Sequence, residues 1–252
     1  MNDLIGFFDS GMGGISVLHA ARRLMPEENY LFYGDNANTP YGPRPLEEIR
    51  ALSAAGIDVL LRRGVKAVVI ACNTATSAYA EIVRAEHPEL PIIGMEPALK
   101  PAHFARHGGK VIVLATAATL RLQKFERLMD RYGDDAIPVV GEGLVELVEA
   151  GRAHTPEAGD RVRALLAPYA DQQIDAVVLG CTHYPYLRAH IQAAFPQASL
   201  FDGRDGTVQR LKSQLEKYGL RTRGTCGTIE YQSSAGESAV QRMQRFMEWM
   251  DE

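Results

Sequence analysis

The sequence predicts an α/β protein of two pseudo-symmetric domains, each a mainly parallel sheet flanked by helices, with the active site at the domain interface. Three observations lead to this fold class. Short apolar runs alternate with helical stretches, the runs are apolar throughout, and they fall into two sets of four. Strands buried on both faces are typical of parallel sheets covered by helices. A chain of 252 residues is long enough to build such a core.

Eight apolar runs predict the strands, which are 4–8, 30–33, 67–71, 91–94, 110–115, 136–140, 176–180 and 199–201. The stretches between and after them predict helices at about 15–25, 45–63, 75–86, 119–132, 142–150, 156–169, 185–195 and 206–218. Pro185 fits a first helical residue, where its missing N–H is harmless. Beyond these elements the sequence predicts a short strand at 228–232 and a last helix at about 238–250.

The two sets of strands match each other at a nearly constant spacing. The clearest match sets 67–72 against 176–181, so that Cys72 corresponds to Cys181 at an offset of 109. Weaker matches, at offsets of 106 to 108, join Ile5 to Val111, Gly34 to Gly141 and Ile93 to Phe201. Because βα units resemble one another, chance is the alternative. We interpret the pattern as two similar halves, with domains of 1–97 plus 206–252 and of 98–205.

Composition and charge exclude several classes of protein. The chain is 46% hydrophobic and carries a net charge of −4 with scattered basic residues, so neither a nucleic-acid nor a membrane partner is expected. No apolar run approaches the ~20 residues of a membrane helix, and residues 1–5 do not begin a signal peptide, which predicts a cytoplasmic location. We interpret Lys66, Lys100 and Lys110 as surface residues rather than as a cofactor-binding lysine.

Polar residues follow five of the predicted strands, at the edge where ligands bind to parallel sheets. They bring hydroxyls, an amide, thiols, a carboxylate and an imidazole together, in the segments 9–14, 34–42, 72–74, 116–119 and 181–183. The glycine-rich segment 9–14 is neither a Gly-x-Gly-x-x-Gly nor a Gly-x-x-x-x-Gly-Lys loop. Its backbone N–H groups favour a bound carboxylate, with phosphate as the alternative.

The three cysteines are too few for a disulfide framework, and they lack the Cys-x-x-Cys spacing of structural zinc sites. Cys226 is interpreted as a small buried hydrophobic residue. Cys72 and Cys181 differ because each ends an apolar strand at a matching place in the repeat. A metal site would require more than two ligands, and the two cysteines of a disulfide oxidoreductase are usually closer in sequence. Two matched thiols on facing halves fit proton transfer on opposite faces of one carbon atom.

Each thiol needs a partner that helps it to take or lose a proton. Asp9 is the candidate for Cys72, and His183 is the candidate for Cys181, although either could instead be a structural hydrogen-bonding residue. The two assistants are not equivalent in the repeat, since Asp9 falls opposite Ala115. Uncharged donors could stabilise a developing carbanion, namely Ser10, Asn73, Thr74, Thr116, Thr119 and Thr182.

Five segments together resemble the glutamate racemase family, within the wider aspartate/glutamate racemase group. They are residues 9–14, 33–35 with 40–42, 71–75, 94–97 and 180–185. The resemblance spans nearly the whole chain, except that the stretch 139–149 and the C-terminal tail diverge. It implies a cofactor-independent isomerase with no metal, two α/β domains and the active site between them. It further implies that the small-molecule partner is L- or D-glutamate. It implies a role in peptidoglycan and cell-wall synthesis, and hence in cell shape. It also makes a homodimer a possible assembly.

Carried over by motif position, the resemblance makes Cys72 and Cys181 the catalytic pair, assisted by Asp9 and His183. It assigns substrate contacts to Asp9, Ser10, Tyr41, Gly42, Asn73, Thr74, Thr116, Thr119, Thr182 and His183. Two alternatives stay open. The first is another member of the wider group, such as an aspartate or hydantoin racemase or a maleate-isomerase-like or decarboxylase-like relative. The second is a two-lobed binding protein without catalysis, against which the paired thiols argue.

Overall fold

The computed structural model describes residues 3–224 and 226–250. Its nine strands in this part of the chain are β1 Leu4–Asp9, β2 Asn29–Gly34, β3 Ala67–Ile70, β4 Ile92–Gly94, β5 Lys110–Ala115, β6 Ala136–Val140, β7 Ile174–Gly180, β8 Ser199–Asp202 and β9 Ile229–Ser233. All ladders are parallel, and the strands form one sheet in the order β4-β3-β1-β2-β9 and another in the order β6-β5-β7-β8.

The two sheets have the same internal order. β1 lies between β3 and β2 in the first sheet, as β5 lies between β7 and β6 in the second. The strands that precede Cys72 and Cys181 are therefore equivalent, and the predicted fold class of two pseudo-symmetric parallel halves is confirmed. The tail returns to the first sheet because β9 pairs with β2. This pairing supports the proposed division into 1–97 plus 206–252 and 98–205.

Helices cover both sheets. They are α1 Ile15–Leu24, α2 Leu46–Arg62, α3 Asn73–Glu86, α4 Leu99–Ala105, α5 Ala117–Arg121, α6 Gln123–Tyr132, α7 Leu144–Glu149, α8 Pro156–Leu166, α9 Arg188–Ala194, α10 Arg204–Lys217 and α11 Glu237–Trp249. Short 3₁₀ turns occur at Asn36–Asn38, Ala167–Tyr169 and Tyr184–Leu187. In the described ranges, no helix is both long and apolar enough to cross a membrane.

Several helix predictions were wrong in detail. The predicted helix 119–132 is two helices, because Leu122 adopts an extended conformation between α5 and α6. The predicted helix 185–195 begins as a 3₁₀ turn that contains Pro185 before α9 starts. Helix α4 was missed. It has only seven residues, one of them Pro101, so its sequence carries little periodic signal.

Two residue interpretations were also wrong. Lys66 is buried rather than at the surface, and its ammonium group donates hydrogen bonds to Glu28 and Asp3 at 2.7 Å. Cys226 is exposed rather than buried. The chain returning after α10 helps to bury Lys66, since Thr222 accepts a third hydrogen bond from it.

The largest hydrophobic cluster runs through both halves. It joins side chains beneath the first sheet, such as Phe7 and Phe32, to side chains of the second half such as Leu114 and Leu187. Side chains of α10 and α11 pack into the same cluster, and Phe246 of α11 lies 5.0 Å from the ring of Tyr186. The halves thus share a continuous apolar contact, which holds their strand ends against each other.

Candidate active site

The carboxyl ends of strands from both sheets surround a cavity of about 300 Å³. It is lined from the first half by Ser10, Pro40, Tyr41, Gly42, Pro43, Cys72, Asn73 and Thr74. The second half contributes Thr116, Ala117, Val140, Gly141, Glu142, Gly143, Val145, Glu146, Cys181, Thr182 and His183. Ten of the twelve predicted site residues line this space. The other two, Asp9 and Thr119, are fully buried and do not line it.

Cys72 is the N-cap of α3, and it is buried with 5% of its surface exposed. Its sulfur accepts a hydrogen bond from the backbone N–H of Ala75 and lies 3.4 Å from the hydroxyl of Ser10. Burial and the negative charge of Asp9 raise the pKa of the Cys72 thiol to about 12. In the resting site Cys72 therefore carries its proton at neutral pH.

Cys181 has a different partner. Its sulfur lies 3.6 Å from Nδ1 of His183, and Nε2 of the same imidazole lies 2.6 Å from Oε1 of Glu149. Burial opposes the charge on the ring, yet the hydrogen bonds to Cys181 and Glu149 raise the pKa of His183 well above its usual value. An imidazolium held between a sulfur and a carboxylate is set to stabilise a thiolate.

Asp9 ends β1, and its carboxylate joins the two halves. It accepts hydrogen bonds from the backbone N–H of Gly11 at 2.8 Å and from the hydroxyl of Thr182 at 3.1 Å. Burial raises its pKa to about 6, against the opposing charge of His183. Its described hydrogen bonds thus lead to Gly11 and the second half, and its influence on Cys72 is that of a nearby charge.

A ring of three threonine hydroxyls closes one side of the cavity. The oxygen of Thr74 lies 2.9 Å from that of Thr116 and 3.1 Å from that of Thr119, and the latter two are 2.9 Å apart. Thr119 therefore supports the hydroxyls that line the cavity. The neighbouring Asn73 is 3% exposed, and neither polar atom of its amide has a partner among the described residues. A buried amide without partners implies a ligand or water at this place.

The loop after β2 forms the wall opposite the second half. The hydroxyl of Tyr41 donates a 2.7 Å hydrogen bond to the carboxylate of Asp35, which is itself buried. The carbonyl of Gly42 accepts a hydrogen bond from the backbone N–H of Ala118 across the interface. A Cβ atom at Gly42 would lie 3.2 Å from Cβ of Thr116, so glycine permits this close approach.

Glu149 is the main residue of the site that sequence reasoning missed. Besides His183, its carboxylate accepts a 2.6 Å hydrogen bond from the backbone N–H of Met12 in the first half. Residues 140–146 were missed as well, although they form much of one wall. Two signals in the sequence concerned this stretch: Gly141 falls opposite Gly34 in the repeat, and 139–149 diverges from the family pattern. Neither gives a contact by itself. In the described ranges, no cluster of three His, Cys, Asp or Glu residues could hold a metal.

Known proteins resemble the chain along most of its length. The model of the Asp/Glu/hydantoin racemase family matches residues 16–211. Glutamate racemase of Clostridium perfringens (strain SM101 / Type A) is 48% identical over 224 residues, which cover 88% of this chain and 86% of that protein. The crystal structure of glutamate racemase from Thermus thermophilus, in complex with beta-chloro-D-alanine, is 36% identical with a TM-score of 0.81, covering 98% of this chain and 93% of the other. The crystal structure of Escherichia coli glutamate racemase in complex with L-glutamate is 26% identical with a TM-score of 0.87, covering 99% of this chain and 96% of the other.

Proposed function

This chain belongs to the Asp/Glu/hydantoin racemase family and is an amino-acid racemase, and we propose that it interconverts L- and D-glutamate by proton transfer between Cys72 and Cys181. The reaction uses no cofactor in this proposal. Glutamate is favoured over aspartate and hydantoins because the relative at 48% identity is a glutamate racemase. The resemblance noted in the sequence is thereby confirmed at the level of the family.

One observation carries the mechanism: two buried thiols from equivalent strands line a single cavity from opposite halves. A carbon atom between them can lose a proton to one sulfur and gain a proton from the other, which inverts its configuration. The reverse reaction needs the same two groups with exchanged roles. A pseudo-symmetric site provides both directions without moving the substrate.

The two thiols enter the reaction in different states. In the direction in which Cys181, beside the His183 imidazolium, takes the α-proton as base, Cys72 is the acid. When the thiolate of Cys181 takes the α-proton, the proton of Cys72 passes to the other face of the same carbon. After this step Cys72 is a thiolate and Cys181 is a thiol. The enzyme then either catalyses the reverse reaction, with Cys72 as the base, or exchanges protons with water. Positioned proton transfer of this kind accelerates reactions by roughly 10²–10⁴-fold.

Uncharged donors bind the substrate carboxylates in this proposal. No lysine or arginine lines the cavity in the described part of the chain. The amide of Asn73 and the hydroxyls of Ser10, Thr74, Thr116 and Thr182 lie there instead. Fixed neutral donors stabilise the negative charge that spreads onto the α-carboxylate when the proton leaves. Tyr41, Gly42 and His183 complete the proposed contacts, and Asp9 and Thr119 act in the proposed binding set through the lining hydroxyls of Thr182, Thr74 and Thr116.

A chiral assay of L-glutamate, L-aspartate and L-hydantoins tests the substrate assignment. We expect turnover of glutamate alone, and absence of glutamate turnover would refute the assignment. Cys72→Ser and Cys181→Ser should each abolish racemisation while glutamate still binds, whereas Cys226→Ser, at an exposed thiol outside the cavity, should behave like the wild type. Racemisation that survives either active-site change contradicts the two-thiol mechanism.

Isotope exchange tests the same mechanism without a mutation. In deuterated water, the product enantiomer should carry deuterium at its α-carbon, because a sulfur that exchanges with solvent delivers the incoming proton. Complete retention of the original proton would point to transfer on one face.

We further propose that the enzyme supplies D-glutamate for peptidoglycan from the cytoplasm. The test is whether this gene restores growth of a D-glutamate auxotroph. A homodimer stays a prediction.

A further inference from the structure

Four of the residues that line the active-site cavity are exposed to solvent, and they mark its mouth. They are Pro43 from the first half and Val140, Glu142 and Glu146 from the second. The two thiols lie deeper, because both cysteines of the cavity are buried. Two carboxylates therefore stand at the entrance that a substrate passes on its way to the sulfur atoms.

Glu142 has a cationic partner in Arg161 of α8. Nε of the guanidinium donates to the backbone carbonyl of Glu142 at 2.8 Å, and a second nitrogen lies 3.4 Å from its carboxylate. The next residue, Gly143, turns the chain into α7 with a φ of +78°, and a Cβ atom there would lie 3.3 Å from Nε of Arg161. The guanidinium thus fixes the backbone at the mouth and balances much of the charge of Glu142.

Glu146 has no such partner. It lies in the first turn of α7, where the end of a helix favours a negative charge. Within the described ranges its carboxylate forms neither an ion pair nor a hydrogen bond, and no lysine or arginine of these ranges lines the cavity. The mouth therefore carries a negative charge that the cavity wall does not neutralise.

The charge of Glu146 also acts inside the protein. Burial, together with the charges of Cys181 and Glu146, raises the pKa of Tyr184. This tyrosine is fully buried, and its backbone N–H donates to the carbonyl of Cys181. The field of the carboxylate thus reaches the turn that carries one of the thiols, and a ligand in the cavity lies in the same field.

The neutral donors of the cavity do not distinguish ligands by charge. Glutamate has two carboxylates and one ammonium group, so it is a monoanion, whereas glutarate has the same carbon skeleton without the ammonium group and is a dianion. The amide of Asn73 and the lining threonine hydroxyls can donate to the carboxylates of either ligand. A fixed negative charge at the mouth does distinguish them, because its repulsion grows with the net charge of the ligand.

We propose that Glu146, with a smaller contribution from Glu142, is a specificity-determining residue that selects ligands of the active-site cavity by charge. It admits amino-acid monoanions and disfavours dicarboxylate dianions of the same length. This inference rests on the proposed racemisation of glutamate. Since both enantiomers carry the same charge, the selection acts equally on substrate and product.

Titration calorimetry with D-glutamate and with glutarate tests the proposal, at about 10 mM ionic strength, where screening is weak. For unit charges roughly 10 Å apart in water, Coulomb's law gives about a twofold effect on binding. Glu146→Gln should therefore bind D-glutamate about twofold and glutarate about fourfold more tightly than the wild type. Charge reversal in Glu146→Lys should square these gains, to about fourfold and about sixteenfold. All gains should shrink at about 1 M KCl, where the Debye length is about 3 Å.

Glu126→Gln is the matched control. Glu126 is also an exposed glutamate in the first turn of a helix, here α6, and it does not line the cavity. This variant should bind both ligands as the wild type does. Circular dichroism of all variants shows that a changed affinity does not reflect a changed fold.

Three outcomes overturn the proposal. The first is an equal gain, or no gain, for the two ligands in Glu146→Gln. The second is weaker binding of D-glutamate in that variant, which would mean that the carboxylate holds the ammonium group. The third is the absence of glutarate binding in Glu146→Lys. The proposed function fails in a different way, because a wild type that binds D-glutamate without racemising it refutes that function alone.

Discussion

Replacement of Glu149 by glutamine separates two roles that its carboxylate combines. The carboxylate accepts hydrogen bonds from Nε2 of His183 and from the backbone N–H of Met12, both at 2.6 Å. Glutamine keeps the size of the side chain, and its carbonyl oxygen can still accept from Met12. What disappears is the negative charge that favours the imidazolium over the neutral ring.

The expected loss follows from that charge. A hydrogen bond to a charged group contributes about 2 kcal/mol, which is about a 30-fold change in an equilibrium. The pKa of His183 therefore falls in Glu149→Gln, and the imidazolium beside Cys181 becomes less populated at neutral pH. We expect kcat/KM to fall up to about 30-fold at neutral pH, with partial recovery as the pH is lowered and the ring is protonated again.

The assay is a pH profile of kcat/KM for Glu149→Gln and Glu149→Ala beside the wild type. Alanine also removes the contact with Met12, so a further loss in that variant measures how much this contact between the halves contributes. Urea unfolding shows whether either variant loses stability as well as activity. A Glu149→Gln enzyme with the rate and pH profile of the wild type would refute the role assigned to the charge on His183.

Three other perturbations test separate parts of the structure. Burial raises the pKa of Asp9 to about 6, so kcat/KM of the wild type should decline below that pH. The Asp9→Asn variant should be slow at every pH and should not show this decline. The folded state also binds that proton more tightly, so the wild type gains stability relative to Asp9→Asn as the pH falls from about 6 to 4, measured by urea unfolding. In Gly13→Ala the new Cβ would lie 2.5 Å from Nδ1 of His183, so activity should be lost with the fold retained by circular dichroism. Lys66→Met removes one of the two cations paired with buried Glu28 and leaves Arg221 as the other, which should cost about 1.5–3 kcal/mol of unfolding free energy. Unchanged stability there would contradict the structural role of the pair.

The sequence could predict the strands and their ends well, because buried parallel strands are marked by local composition. Residues that follow a strand take a known position at the sheet edge, so the sequence pattern alone assigns Ser10, Asn73 and Thr182 to one site. The repeat then makes the two cysteines equivalent, which the common order of the sheets explains. These predictions rest on local pattern and on the geometry of parallel sheets.

Features that depend on distant contacts could not be predicted. Glu149 ends a helix whose sequence has no unusual feature, and its partner His183 lies 34 residues away. Lys66 has the local sequence of a surface lysine, and only the fold brings Glu28 and Thr222 around it. The extended conformation of Leu122 divides a segment that has helical composition on both sides. In each case tertiary packing decides, and a single sequence carries no record of that packing.

The two thiols occupy equivalent places, but their partners differ, and this inequality has a measurable consequence. Enantiomers have equal free energies, so kcat/KM must be the same in both directions for the wild type and for every variant. The inequality between Cys72 and Cys181 can therefore appear only in kcat and KM taken separately, or in isotope effects. We expect Glu149→Gln to change the α-deuterium isotope effect on kcat unequally for L- and D-glutamate, because only one thiol is paired with His183. Equal changes for both enantiomers would mean that the proton-transfer steps respond alike despite their different partners.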